Sequence, residues 1–150
     1  MAARRLVDVV EVEPRATAVV SLVTDWETFP SLWPALLGEV WKAVRAAGAD
    51  AGRNVMLYKD DRPAVEIGVE LLGQLEPTGA ITRSSLPAGL AATTTDHGPP
   101  NRESLRAAHH AIADFCERTA RRRAGPRWEI YSHHSEIPAE NHTEIYHLLA

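Results

Sequence analysis

Apolar positions along the chain switch between two rhythms. Over residues 5–24, RLVDVVEVEPRATAVVSLVT alternates or runs in β-branched stretches, the rhythm of extended strands, with a break at Pro14. The spacing then changes. Leu32, Trp33, Leu36, Leu37, Val40, Trp41 and Val44 recur at helical intervals, which predicts an amphipathic helix over 32–47. Ser31 is its expected N-cap, Pro34 falls in its first turn and Gly48 is its stop. NVMLYK and AVEIGVELL return to strand rhythm on either side of the turn DDRP.

The same order then repeats. ITRSSLPAGLAATTTD is a second extended ribbon. NRESLRAAHHAIADFCERTARR is a second helix, with Leu105, Ala108, Ile112, Phe115 and Cys116 on one face and Gly125-Pro126 as its expected end. RWEIYS and HTEIYHLL close the chain as strands. Landmarks recur at one fixed offset: Pro14 with Pro87, Ala18 with Ala91, Gly52 with Gly125, Tyr58 with Tyr131. Glu66 matches Glu144 at a larger offset, because the turn SHHSEIPAENH is longer than KDDRPA. The expectation is an α+β fold of duplicated strand-helix-strand-strand units with pseudo-two-fold symmetry. It has antiparallel sheets, two main helices and a cleft between the halves. A single domain over 1–150 would hold the first repeat at about 1–75 and the second at about 76–150.

Period-2 geometry sorts the strand residues by face. Glu144 and Tyr146 share one face of the last strand, with Thr143 and Ile145 on the other. In RWEIYS, Glu129 and Tyr131 lie opposite Trp128 and Ile130. The expected pattern is an aliphatic face under the helices and a second face of carboxylates and aromatics. Glu144 among aromatics is the odd residue, since glutamate is a poor strand former and is seldom buried without a partner.

Composition narrows the function classes. A net charge of −4 argues against bulk nucleic-acid binding, which needs a basic footprint. MAARRLVDVVEVEP is basic at Arg4 and Arg5, but Asp8, Glu11 and Glu13 interrupt any apolar run, so no secretory signal is expected. One cysteine, Cys116, excludes an internal disulfide and fits a reducing cytoplasm. Seven histidines raise the question of a metal. Neighbours such as His109 and His110 diverge by ~100° on a helix, and no HExxH or paired-cysteine pattern occurs, so neither metal nor cofactor is expected. His109 or His110 is instead expected to line the cleft. The basic run at Arg118, Arg121, Arg122 and Arg123 is expected to be a solvated helix end.

The segments LPAG before a strand, HGP opening the second helix, WEIY after it and TEIYHLL at the end resemble the GyrI-like small-molecule-binding domain. So does the pair MLYKDDRPAVEIGVEL in the first half. That domain is the effector-binding module of AraC-type and MerR-type multidrug-responsive regulators, and the resemblance spans essentially the whole chain. It implies a pocket lined by aromatics, with an acid for lipophilic cationic ligands at the position of Glu144. Tyr146, Tyr131, Trp33, Tyr58 and Glu66 are the further candidate ligand-binding residues. Trp33 is open between pocket and core, whereas Trp41 is assigned to the core. Regulators of this kind carry a helix-turn-helix module upstream, and none precedes Arg5, so direct DNA binding is not expected. A homodimer or a separate regulatory protein stays open as a partner.

Three functions follow as expectations. The first is a cytoplasmic, stand-alone protein that binds or sequesters a lipophilic, cationic or aromatic compound. The second is a hydrolase of reactive electrophiles, with Glu144 and Tyr146 as its catalytic candidates, as in some relatives of the family. The third is a protein-interaction module regulating a partner. Between binding and catalysis the sequence does not decide, because it displays no separate acid and base.

Overall fold

Two prolines divide the expected ribbons. Lacking an N–H, proline cannot serve a sheet ladder, and Pro14 and Pro87 each stand in a two-residue link between strands. The computed structural model describes residues 5–150, so Arg4 of the basic N-terminal stretch lies outside them. In chain order the elements are β1 (Asp8–Val12), β2 (Arg15–Val23), α1 (Phe29–Ala47), β3 (Ala51–Tyr58), β4 (Ala64–Leu71), β5 (Ile81–Leu86), β6 (Gly89–His97), α2 (Arg102–Arg118), β7 (Arg123–Tyr131) and β8 (His142–Leu149). The fold is α+β, with one eight-stranded antiparallel sheet ordered β1-β6-β8-β7-β3-β4-β2-β5.

That order forces curvature. The β1–β2 and β5–β6 links join opposite ends of the sheet, yet each has only two residues and so reaches about 10 Å. The sheet therefore curls until its ends approach. The side away from the helices becomes a lined interior. Val55, Leu57, Leu86, Ala91, Trp128 and Ile130 fill it, with Val12, Tyr146 and Leu148 packed against them. Gly68 serves the tight approach of β4 to β2, for a Cβ there would lie 1.8 Å from the Ala18 carbonyl oxygen.

The two helices lie on the other face. Val40 and Val44 of α1 pack on Ala18, Val20, Val69 and Leu71. Ala108, Ile112 and Cys116 of α2 pack on Ala92, Ile145 and Leu149. Thus α1 rests on β2 and β4, and α2 on β6 and β8. The central strands β7 and β3 lie between them, and a cleft opens there.

Helix ends differ from the expected ones. Helix α1 starts at Phe29 with Thr28 at the N-cap, and Ser31 sits inside the first turn, its Oγ donating to the Thr28 carbonyl at 2.7 Å. Gly48 ends α1 in the left-handed region, φ 64°. Asn101 caps α2 by accepting from the Ser104 N–H at 2.9 Å. Gly125-Pro126 is not the stop of α2. The helix closes at Arg118, where Ala120 adopts φ 55° and the Arg121 N–H returns to the Cys116 carbonyl at 2.8 Å. Of the basic run, only Arg118 therefore occupies the last helical turn, and Arg123 already belongs to β7.

Candidate functional site

Strand register decides what faces the cleft. Glu129 on β7 pairs with Met56 on one side and Ile145 on the other. Met56 packs beside Phe29 of α1, and Ile145 lies under α2. Directly opposed residues share a face, so Glu129 and Tyr131 point to the helix side. The cleft has a volume of about 1210 Å³. Its floor carries Met56, Tyr58, Glu129 and Tyr131; Phe29, Trp33 and Leu37 form the α1 wall, and Leu105, Arg106 and His109 the α2 wall.

Glu129 is only 3% exposed. Its Oε1 accepts from the Tyr131 hydroxyl at 2.5 Å and the Tyr58 hydroxyl at 3.1 Å, and its Oε2 lies 2.7 Å from His109 Nε2. His109 Nδ1 lies 2.8 Å from His147 Nε2, and His147 Nδ1 lies 3.4 Å from Arg123 Nη1. A guanidinium can only donate, so the proton positions follow along the line. Arg123 donates to His147, His147 to His109, and His109 to Glu129. Burial, then the neighbouring His109 ring and the Arg123 charge, hold the His147 imidazole neutral, its pKa down to about 2. Burial and the Glu129 charge raise Tyr58 and Tyr131 well above the usual phenol range, which keeps both hydroxyls as donors.

Aromatic rings build the mouth. Trp26 and Trp33, 41% and 36% exposed, both line the cleft and keep part of each indole open to it. Trp26 lies 5.3 Å from Tyr58 between ring centres, and its indole N–H donates to the Asp61 carbonyl. The Arg127 guanidinium stands over both rings, 5.5 Å from Trp26 and 5.8 Å from Tyr58, and pairs with the Asp61 carboxylate at 2.9 Å. Among the described residues, no group of three or more His, Cys, Asp or Glu is arranged to hold a metal ion.

The six residues singled out in the sequence divide. Tyr58, Tyr131 and Trp33 line the cleft, as does His109. Glu144, Tyr146 and Glu66 lie on the curled side. The expectation that Glu129 and Tyr131 share a face with Glu144 and Tyr146 is corrected by the register, which sets Glu129 against Ile145 and Ile130 against Glu144. The partner expected of a ligand for Glu144 is instead Arg53, whose Nη1 donates to it at 2.5 Å, while the Tyr146 hydroxyl donates at 2.6 Å. Arg53 also binds Glu70, which Arg15 meets from the other side. Glu66 accepts from the Ser84 hydroxyl at 2.6 Å and pairs with Lys59 at 2.5 Å. Both curled-side acids therefore have internal partners. Sequence reasoning missed Glu129, His147, Trp26 and Arg127 as cleft residues. The available signal was the tripeptide Glu-Ile-Tyr, which occurs at 129–131 and again at 144–146.

No family model matches the sequence, and no curated protein matches it. Solved structures do. The C-terminal domain of EcmrR superposes with a TM-score of 0.78 at 21% identity, covering 97% of this chain and 98% of that one. The chain shares the fold of the EcmrR C-terminal domain, in agreement with the fold expected from the sequence. Against EcmrR in its DNA complex, this chain spans 57% of the other's length, with a TM-score of 0.75 at 22% identity. A protein described as a hydrolase from Listeria innocua superposes with a TM-score of 0.61 at 12% identity, over 99% of this chain and 94% of that one. SAV2435, solved with tetraphenylphosphonium, gives 0.66 at 8% identity over 97% and 94%.

Proposed function

We propose that the protein binds a lipophilic small molecule with an aromatic body in the cleft between α1 and α2. The observation that carries this is the combination of a buried acid, Glu129, fixed by two tyrosines on the floor with two half-exposed tryptophans at the mouth. Apolar walls with a few convergent polar groups are the usual make-up of a ligand site. A shared fold with SAV2435, solved with a lipophilic phenyl-bearing ion, supports the same reading. The cationic character expected of the ligand has weaker support. Both oxygens of Glu129 already accept hydrogen bonds from within the protein.

A hydrolase is the second reading, and one observation favours it. The hydrogen-bond line from Arg123 through His147 and His109 ends on the buried Glu129, which would orient that carboxylate to activate water. The candidate base on this reading is Glu129 rather than Glu144. The resemblance to the Listeria innocua hydrolase is one of fold and adds no chemistry.

Both are tested by titrating the protein with 1-pyrenebutanol and following pyrene emission. Saturable binding that weakens about tenfold in Trp33→Ala is expected, given the contribution of one aromatic contact. Absence of saturation, or full affinity without Trp33, overturns the cleft as the site. Chromatography of a reactive aromatic epoxide after hours of incubation separates binding from turnover. Recovery of intact compound supports binding, and diol formation that disappears in Glu129→Gln supports hydrolysis.

A further inference from the structure

The charged groups around the cleft do not match those of the whole molecule. The chain carries a net charge of −4. The cleft lining, by contrast, holds Arg102, Arg106, Arg123 and Arg127 against Asp61 and Glu129. Both carboxylates are already engaged: Asp61 with Arg127, and Glu129 with Tyr58, Tyr131 and His109. Arg102, Arg106 and Arg123 have no carboxylate partner among the described residues. His110, His134 and His142, which also line the cleft, bring no negative charge.

From this we infer that the natural ligand is an amphipathic anion. Its aromatic body fills the cleft between the tryptophans and tyrosines, and its carboxylate, sulfonate or phosphate lies at the α2 side, held by Arg102 and Arg106, with Arg123 adding positive charge to the same cleft. The inference rests on the binding reading above and names the ligand's charge.

Helix geometry supports the placement. Arg102 and Arg106 stand one turn apart, so both lie on one stripe of α2, which continues to His109 at the cleft floor. That stripe begins in the first turn, where unpaired backbone N–H groups add positive potential. Guanidinium forks match the planar oxygens of a carboxylate or phosphate, and such charge-assisted bonds are the stronger kind. A cation would meet the reverse situation. To reach Glu129 it would have to break bonds from two tyrosines and a histidine, beneath a rim of guanidinium groups. Arg127 already stacks on the faces of Trp26 and Tyr58 that a ligand cation would seek.

Three probes with one aromatic body test the charge: 1-pyrenebutyrate, 1-pyrenebutanol and 1-pyrenebutylamine. Wild-type protein should bind the carboxylate about tenfold more tightly than the alcohol, and the amine more weakly than either. The preference should shrink on raising salt from about 0.1 M to about 1 M, as screening shortens from ~10 Å to ~3 Å. In Arg102→Gln/Arg106→Gln the carboxylate and alcohol affinities should fall within about threefold of each other. Both residues are exposed, so the fold tolerates the change. If the alcohol binds but charge makes no difference, or the amine binds best, the anion assignment is overturned and cleft binding stands. If none of the three binds, the binding reading fails and takes this inference with it.

Discussion

The tripeptide Glu-Ile-Tyr appears on two neighbouring strands and ends on opposite faces of one sheet. At 129–131 its tyrosine donates to its own glutamate at 2.5 Å, and at 144–146 at 2.6 Å, so the local unit is the same. What surrounds each unit differs. Glu129 faces the cleft, is bound by Tyr58 and His109, and has no arginine partner among the described residues. Glu144 faces the curled interior and is closed by Arg53, which continues to Glu70 and Arg15. Antiparallel pairing of β7 with β8 makes the split unavoidable, because a glutamate opposite an isoleucine leaves the other glutamate on the far side. One unit thus serves as a strut inside the fold and the other as the floor of the cleft.

Removing Arg53 is the hardest blow to the strut. It leaves Glu70, 5% exposed, and Glu144 facing each other with only Arg15 and Tyr146 in attendance. Breaking a buried pair from one side is among the more damaging changes. The Arg53 side chain is 24% exposed, so water offsets part of the loss. Arg53→Ala should lower stability by about 2–3 kcal/mol in urea unfolding, while 1-pyrenebutanol still binds the folded protein with wild-type affinity. An unchanged urea midpoint would deny the strut its role, and lost affinity in folded protein would deny the separation of the faces.

Acid should loosen the two faces in sequence. His147, on the cleft side, is held at about 2 against an ordinary 6.5, by burial and then by the neighbouring His109 ring and the Arg123 charge. Below that ordinary value the unfolded chain takes up a proton that the folded chain refuses. The contribution of His147 is therefore intact above about pH 6.5 and is lost as pH falls towards 2. On the curled side, burial alone would raise Glu70, but hydrogen bonds from Arg53 and Arg15 outweigh it and hold the carboxyl at about 2 against an ordinary 4.5. Its share is intact above about pH 4.5 and is lost below it. Of the two, only the histidine acts in the upper window. A loss on the order of 1–2 kcal/mol on going from pH 7 to pH 5 is expected from it. His147→Gln should flatten that segment of the urea-midpoint profile and leave the steeper fall at lower pH. A variant that keeps the wild-type slope above pH 5 would refute the assignment.

Local rules and long-range geometry were not equally legible in the sequence. The apolar stripe from Leu36 to Val44 and the Gly48 stop depend on neighbours a turn away, and both α1 and its end follow from them. The end of α2 did not, because Ala120 took the left-handed position that a glycine usually fills. Tyr58, Tyr131 and Trp33 were legible as cleft residues because a ring on a strand or at a helix start can offer both a face and a polar group. The face of Glu129 was not, because it depends on which residues of β8 and β3 stand opposite, and period-2 alternation is silent on register between strands. Nor could alternation show that two-residue links curl the sheet, making the carboxylate side an interior where arginines supply the partners.

The finest comparison removes the same atom from each unit. Tyr131→Phe and Tyr146→Phe each delete one phenolic hydrogen bond to a glutamate two residues back. Each glutamate keeps another donor, Tyr58 and His109 for Glu129, Arg53 for Glu144. Each change should therefore lower stability by about 1 kcal/mol, and urea unfolding should not tell them apart. Affinity should. Without the Tyr131 hydroxyl, Glu129 loses its shortest bond and the floor of the cleft loses its fixed geometry, so 1-pyrenebutanol should bind about threefold more weakly. Burial and the neighbouring Glu144 push the Tyr146 hydroxyl up to about 12, but it borders only the curled interior, so its loss should leave binding unchanged. The reverse result would relocate the site. If Tyr146→Phe weakens the probe and Tyr131→Phe does not, the ligand occupies the smaller cavity of about 370 Å³ beside Trp128, Pro14 and Pro87, and the strut and the site exchange places.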